Sequence, residues 1–173
     1  MKGLRTFVCG CLAVAAGVLL CCAPVRAEEE TESFPEATQA TILWSARSCY
    51  AEATWSETDC AALLHVIRKR AARFKWPFLK MLRAYSVKNW INGHGKQAGQ
   101  LKLGVNTGLD KAWNESWHKL VLHVVDVLNG RVQDPCPVAD HWAAMTYAPR
   151  SPMRRVRCEL PTANQFWVTV ARK

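Results

Sequence analysis

Acidic side chains are scarce and unevenly spread. The chain holds 14 Asp and Glu against 23 Lys and Arg, and five of the 14 fall within residues 28–36. Past the first 27 residues no Cys-x-x-Cys pair is found, and no Cys/His cluster has zinc spacing, so a metal-stapled module is excluded. There is no internal repeat and no low-complexity tract. The glycine-rich stretch "GHGKQAG" at 93–99 lacks the P-loop spacing and has no strand before it, so it reads as a plain loop within a long loop over 92–108. Positive charge is spread along the chain and aromatics are not interleaved with it, which argues against a nucleic-acid platform. The apolar run over 7–23 is short for a spanning helix, and polar sequence follows at once.

That apolar run has another reading. Lys2 and Arg5 precede it, and Val25-Arg26-Ala27 follows as a small-x-small cleavage site, so residues 1–27 are expected to be a secretory signal peptide. Leu20 stands before Cys21 where a lipoprotein signal would need a small residue. Residues 28–40, broken by Pro35, are expected to be an acidic flexible leader, and 41–173 one domain. With the signal removed, 20 Lys and Arg face 14 Asp and Glu, a net charge of +6. A basic exported monomer, in the periplasm or outside the cell with no stable membrane insertion, points to an anionic partner such as cell wall. Four of the eight cysteines leave with the signal. Cys49, Cys60, Cys136 and Cys158 remain, an even count in an oxidising compartment. Three pairings are possible; joining near neighbours gives Cys49–Cys60 and Cys136–Cys158.

Apolar spacing predicts helices over 38–53, from Ser56 onward, 78–84 and 110–129. Ser56 with Asp59 forms a near capping box, Pro77 suits a first helical turn, and Gly130 suits a C′ position. Arg68, Lys69, Arg73 and Lys75 read as a solvated basic face. The end of the chain reads as a hairpin around Pro161–Asn164, with Phe166, Val168 and Val170 alternating against Trp167 and Thr169. The fold class is therefore α+β, mainly α, with a small C-terminal β-hairpin.

One residue stands out. "SARSCYAEATWSETDCAALL", residues 45–64, sets Glu52 between alanines, with Tyr50 and Trp55 close by. A carboxyl in apolar, aromatic surroundings has its charged form disfavoured, which is what a general acid needs near neutral pH. Glycoside cleavage is the reaction class in which such a glutamate is most familiar. The bland alternative is a helix-end acid, solvated or paired with Arg47 or an arginine of the second helix.

Ala46, Arg47, Tyr50, Ala51, Glu52 and Ala53 resemble the "A-R-x-x-Y-A-E-A" helix of the SleB-type cell-wall hydrolase family, relatives of spore-cortex lytic enzymes. Gly130, Asp134, Pro135, Ala139, His141 and Trp142 are similar to that family's Asp-Pro and Ala-x-His-aromatic segment, and "NQFWV" to its closing strand. The chain departs from the pattern at Lys69, at a missing glycine before the Ala-x-His segment and over 92–108. The resemblance implies a lysozyme-like, lytic-transglycosylase-like fold acting on peptidoglycan glycan strands, with no cofactor or metal. It makes Glu52 the catalytic acid and places His141 and Trp142 at the cleft, with Tyr85 and Ser86 as further substrate-binding candidates.

A glycosidase generally needs a second group. Asp59 is better explained as capping, Asp134 as a turn residue before Pro135, and Asp140 is the best remaining candidate. A lytic transglycosylase needs none, because one glutamate acts twice. The alternative function is a non-catalytic exported module that binds glycan or protein. Of the eight tryptophans, Trp113 and Trp117 fall at core spacing, while Trp55, Trp142 and Trp167 suit a cleft. His118 and His123 lie on different helix faces, which speaks against a metal pair.

Overall fold

The computed structural model describes residues 33–53, 55–86, 101, 103, 111–143 and 152–170. The expected signal peptide, residues 28–32 of the leader and nearly all of the 92–108 loop lie outside these residues. The order is α1 (Gln39–Ala53), α2 (Glu57–Phe74), α3 (Phe78–Tyr85), α4 (Lys111–Leu128), β1 (His141–Ala143), β2 (Met153–Val156) and β3 (Gln165–Thr169). The described part is thus mainly helical with a small antiparallel sheet.

Local chemistry explains the helix ends. Ser56 caps α2: its Oγ accepts from the Asp59 N–H at 3.2 Å. Pro77 stands at the N-cap of α3, one place before the first turn. At the end of α4, Gly130 takes φ +71°. Its N–H reaches the Val127 carbonyl, and the Arg131 N–H reaches Asp126. That is the Schellman pattern, and it needs the left-handed residue glycine supplies. Lys75 closes α2 in the same way at φ 54°.

Helix α2 is the axis of the fold. Leu63, Leu64 and Ile67 pack with α1 and α4, while Ala62 and Val66 pack against Phe166, Cys136 and Ala139 beneath the sheet. The expected solvated basic face holds in part: Arg73 and Lys75 are exposed, while Arg68 and Lys69 are half-buried. Arg70 is 4 % exposed, and Lys69 Nζ reaches Asp134 Oδ2 at 2.8 Å and the carbonyls of Cys136 and Pro137. Helix α1 also differs from its apolar pattern. It buries Ser45, Ala46, Cys49 and Ala53, while Ile42, Leu43 and Tyr50 are only partly covered. Small side chains let α1 approach α2 closely: the Cys49 and Cys60 Cα atoms are 4.9 Å apart. Within the stretch expected to be a leader, Phe34 packs edge-on against His65 at 4.9 Å, under the Arg68 guanidinium.

The sheet has the order β1-β3-β2. The β2–β3 pair is the expected hairpin; β1 is an added strand that the sequence pattern did not predict. Phe166 lies opposite Trp142 on one side and Val156 on the other. Among the described residues no helix is long and apolar enough to cross a membrane.

Both expected disulfides are present, Cys49–Cys60 joining α1 to α2 and Cys136–Cys158 joining the β1 approach to the hairpin. They fit an oxidising compartment. Each closes a loop, of 11 and 22 residues, and reduction is expected to cost about 3 kcal/mol per bridge. Thermal unfolding with and without reductant measures this, and an unchanged midpoint would refute it.

Candidate active site

The last turn of α1 carries Glu52, one turn beyond Ser48. Its position is fixed from two sides. The Asn164 side-chain amide donates to the Glu52 carbonyl at 2.8 Å. The Trp142 indole N–H points at Glu52 Oε2 across a long 3.5 Å. The carboxylate thus sits at the seam where α1 meets the sheet.

Asp59 makes that seam rigid. It is fully buried. Its carboxylate accepts from Ser56 Oγ at 2.7 Å and from the backbone N–H groups of Ala163 and Asn164 at 2.8 and 2.9 Å. The near capping box is therefore only half local: the carboxylate closes a bond to the hairpin turn instead of returning to Ser56 N–H. The turn that delivers Asn164 to Glu52 is held by the first turn of α2.

The other candidates meet around α2 and α3. Ser86 Oγ, at the end of α3, and Ser48 Oγ are hydrogen-bonded and buried, and Ser48 lies on the same face of α1 as Glu52. Tyr85 and His141 meet at Arg70, whose Cζ lies 3.8 Å from the Tyr85 ring centroid and whose Nη1 donates to His141 Nε2 and to the Asp140 carbonyl. A guanidinium can only donate, so Nε2 accepts. The ring proton then sits on Nδ1 and points at Asp140 Oδ1, 2.8 Å away. Glu52 and Trp142 are brought together directly, Tyr85 and His141 through Arg70, and Ser86 through Ser48.

Each candidate for a second carboxylate is occupied. Asp59 holds the turn. Asp134 binds Lys69 and the Cys136 N–H. Asp140 binds His141, Arg73 Nη1 at 3.0 Å and the Thr169 N–H at 2.9 Å. Burial works to raise the Asp140 carboxyl, but the His141 and Thr169 hydrogen bonds outweigh it and hold the group below the usual carboxylate range. The depressed folded value means Asp140 contributes stability above the unfolded value of about 3.9, and loses it as pH falls through the folded one. Asp140→Asn is expected to flatten the acid limb of stability below about pH 4. Urea midpoints over that range measure it; an acid limb as steep as the wild type's would refute it.

Aromatic rings cluster on the helical side, packed against the core. Tyr50 lies 4.7 Å from Trp55 and 5.7 Å from Trp113, and Trp113 stacks on Trp117. Trp55 takes φ 66°, a left-handed conformation costly for a bulky residue. Trp117 is core, as its spacing predicts, whereas Trp167 faces away from the core side of β3, opposite His141. His123 binds the Glu57 carbonyl. Among the described residues no group of three or more His, Cys, Asp or Glu is placed to hold a metal ion.

Sequence reasoning missed Arg70 and Asn164 as site residues. Arg70 had a signal: it lies three residues after Ile67 and seven after Leu63, on the buried stripe. Asn164 had one as well: it opens the "NQFWV" segment singled out above, though no role was attached to it. Searches of the chain against protein-family models, curated proteins and solved structures found no match.

Proposed function

We propose that the chain is an exported enzyme that cleaves peptidoglycan glycan strands on a lysozyme-like framework, with Glu52 as general acid and base. The observation that carries this reading is the placement of the Glu52 carboxylate at the α1–sheet seam, beside the Trp142 indole. The occupation of Asp59, Asp134 and Asp140 favours a reaction needing one carboxyl group. In a lytic transglycosylase step, protonated Glu52 gives its proton to the glycosidic oxygen between N-acetylmuramic acid and N-acetylglucosamine. The resulting carboxylate takes the proton of the muramoyl C6 hydroxyl as that oxygen closes onto C1. Glu52 ends reprotonated, and no water is consumed. Digestion of purified peptidoglycan, with soluble products read by mass spectrometry, tests this. Anhydromuramoyl ends are expected; reducing muramic ends would replace transglycosylation with hydrolysis.

A second reading, a non-catalytic glycan- or protein-binding module, draws support from the exposed Phe74, Trp76 and Tyr85 beside Arg73, Lys75 and Lys80, a surface suited to adhesion. Binding to the wall without any release of fragments would favour it.

A further inference from the structure

The hairpin encloses an open groove of about 640 Å³, lined among others by Arg155, Arg157, Glu159, Leu160 and Asn164. Asn164 belongs to both places: it lines the groove and holds the Glu52 carbonyl at 2.8 Å. That shared residue links the groove to the Glu52 end of α1. Arg155 lies on the edge strand β2 and Arg157 just past its end, both exposed, and neither forms an ion pair with a described residue. Glu159 is the acid on the same wall. Leu160, 56 % exposed, adds an apolar side.

The walls are pre-set. On one side the Ala163 and Asn164 N–H groups are bound to buried Asp59. On the other, Cys158 is tied to Cys136, and the Glu159 N–H donates to the Pro135 carbonyl at 2.8 Å. A groove that need not reorganise spends little of its contact energy on ordering. Two guanidiniums with no ion pair among the described residues, one carboxylate and an apolar side fit a short peptide that bears carboxylates, an amine and small side chains. Guanidinium–carboxylate pairs supply directional recognition there.

We propose that this groove binds the peptide stem carried by the muramic residue, so that the protein reads stem-bearing glycan and not bare glycan. The inference rests on the reading of Glu52 given above and names the part of the substrate that sets specificity. The stem is joined through the lactyl group of the same sugar whose glycosidic bond Glu52 addresses, so one bound strand fills both places.

The test uses the full chain, its Arg155→Gln/Arg157→Gln double variant and a charge-matched control, Arg154→Gln/Lys119→Gln, at surface positions outside the groove. Each is measured on intact peptidoglycan and on glycan stripped of stems by an amidase, for sedimentation binding and for release of soluble products. The groove variant is expected to bind intact wall about tenfold or more weakly, a change of about 1.4 kcal/mol. Its KM should rise in proportion while kcat holds. On stripped glycan it should match the wild type. Equal binding of wild type and groove variant to intact wall overturns the proposal, as does an equal loss on stripped glycan or in the control. Release of no products by the wild type, with stem-dependent binding retained, sinks the catalytic reading of Glu52 and leaves the groove assignment standing.

Discussion

Glu52→Gln is expected to lower release of soluble glycan fragments by about 10²- to 10⁴-fold, the usual worth of a positioned general acid. The substitution is close to isosteric. Glutamine keeps an oxygen for the Trp142 N–H, and the backbone carbonyl that accepts from Asn164 is untouched. Glutamate and glutamine have similar helix propensities, so α1 is unaffected. What is lost is the transferable proton. The folded state should therefore hold, with stability within about 0.5 kcal/mol of wild type, and wall binding should persist. Measured together, unchanged unfolding and binding with abolished release assign the chemistry to Glu52. Release at wild-type rate from Glu52→Gln would remove Glu52 from the mechanism and leave its contacts as packing.

The helical part of this arrangement was legible because its determinants are local. Apolar spacing and Ser56 set the ends of α1 and the start of α2 within a residue or two, and Gly130 marked the end of α4. The disulfides were legible too, since cysteines close in sequence on either side of a short connection are brought within bonding range by the connection itself. The strand β1 was not. It has three residues and no run of alternation, and it exists because β3 presents a free edge to it. Arg70 illustrates a different limit. Its spacing puts it on the buried stripe, and the charge is accommodated there because His141, the Asp140 carbonyl and the Tyr85 ring surround the guanidinium. The contacts that build the seam at Glu52 join residues far apart in sequence, so no window of sequence could contain them.

Asp59→Ala is the substitution expected to cost the fold most. The carboxylate is fully buried and accepts three hydrogen bonds, from Ser56 Oγ and the N–H groups of Ala163 and Asn164. Removing it takes away three part-buried hydrogen bonds to a charged group, each worth about 1.5–3 kcal/mol. Even partial relaxation should leave a loss of about 3 kcal/mol or more, against a total stability of about 5–15 kcal/mol. At about 2–4 °C per kcal/mol, the midpoint should fall by roughly 10 °C. Asp126→Ala is the fitting comparison. It removes the same charge, but from a half-exposed carboxylate paired with Arg131 at the surface, where such pairs are worth about 0–1 kcal/mol. Equal shifts in the two variants would show that Asp59 acts only as a surface acid would. A selective loss at Asp59 carries a second consequence. Asn164 is held by Asp59 and in turn holds the Glu52 carbonyl, so Asp59→Ala, assayed well below its own melting point, should also lose fragment release. The same bond that ties α2 to the hairpin turn then both stabilises the fold and positions the acid.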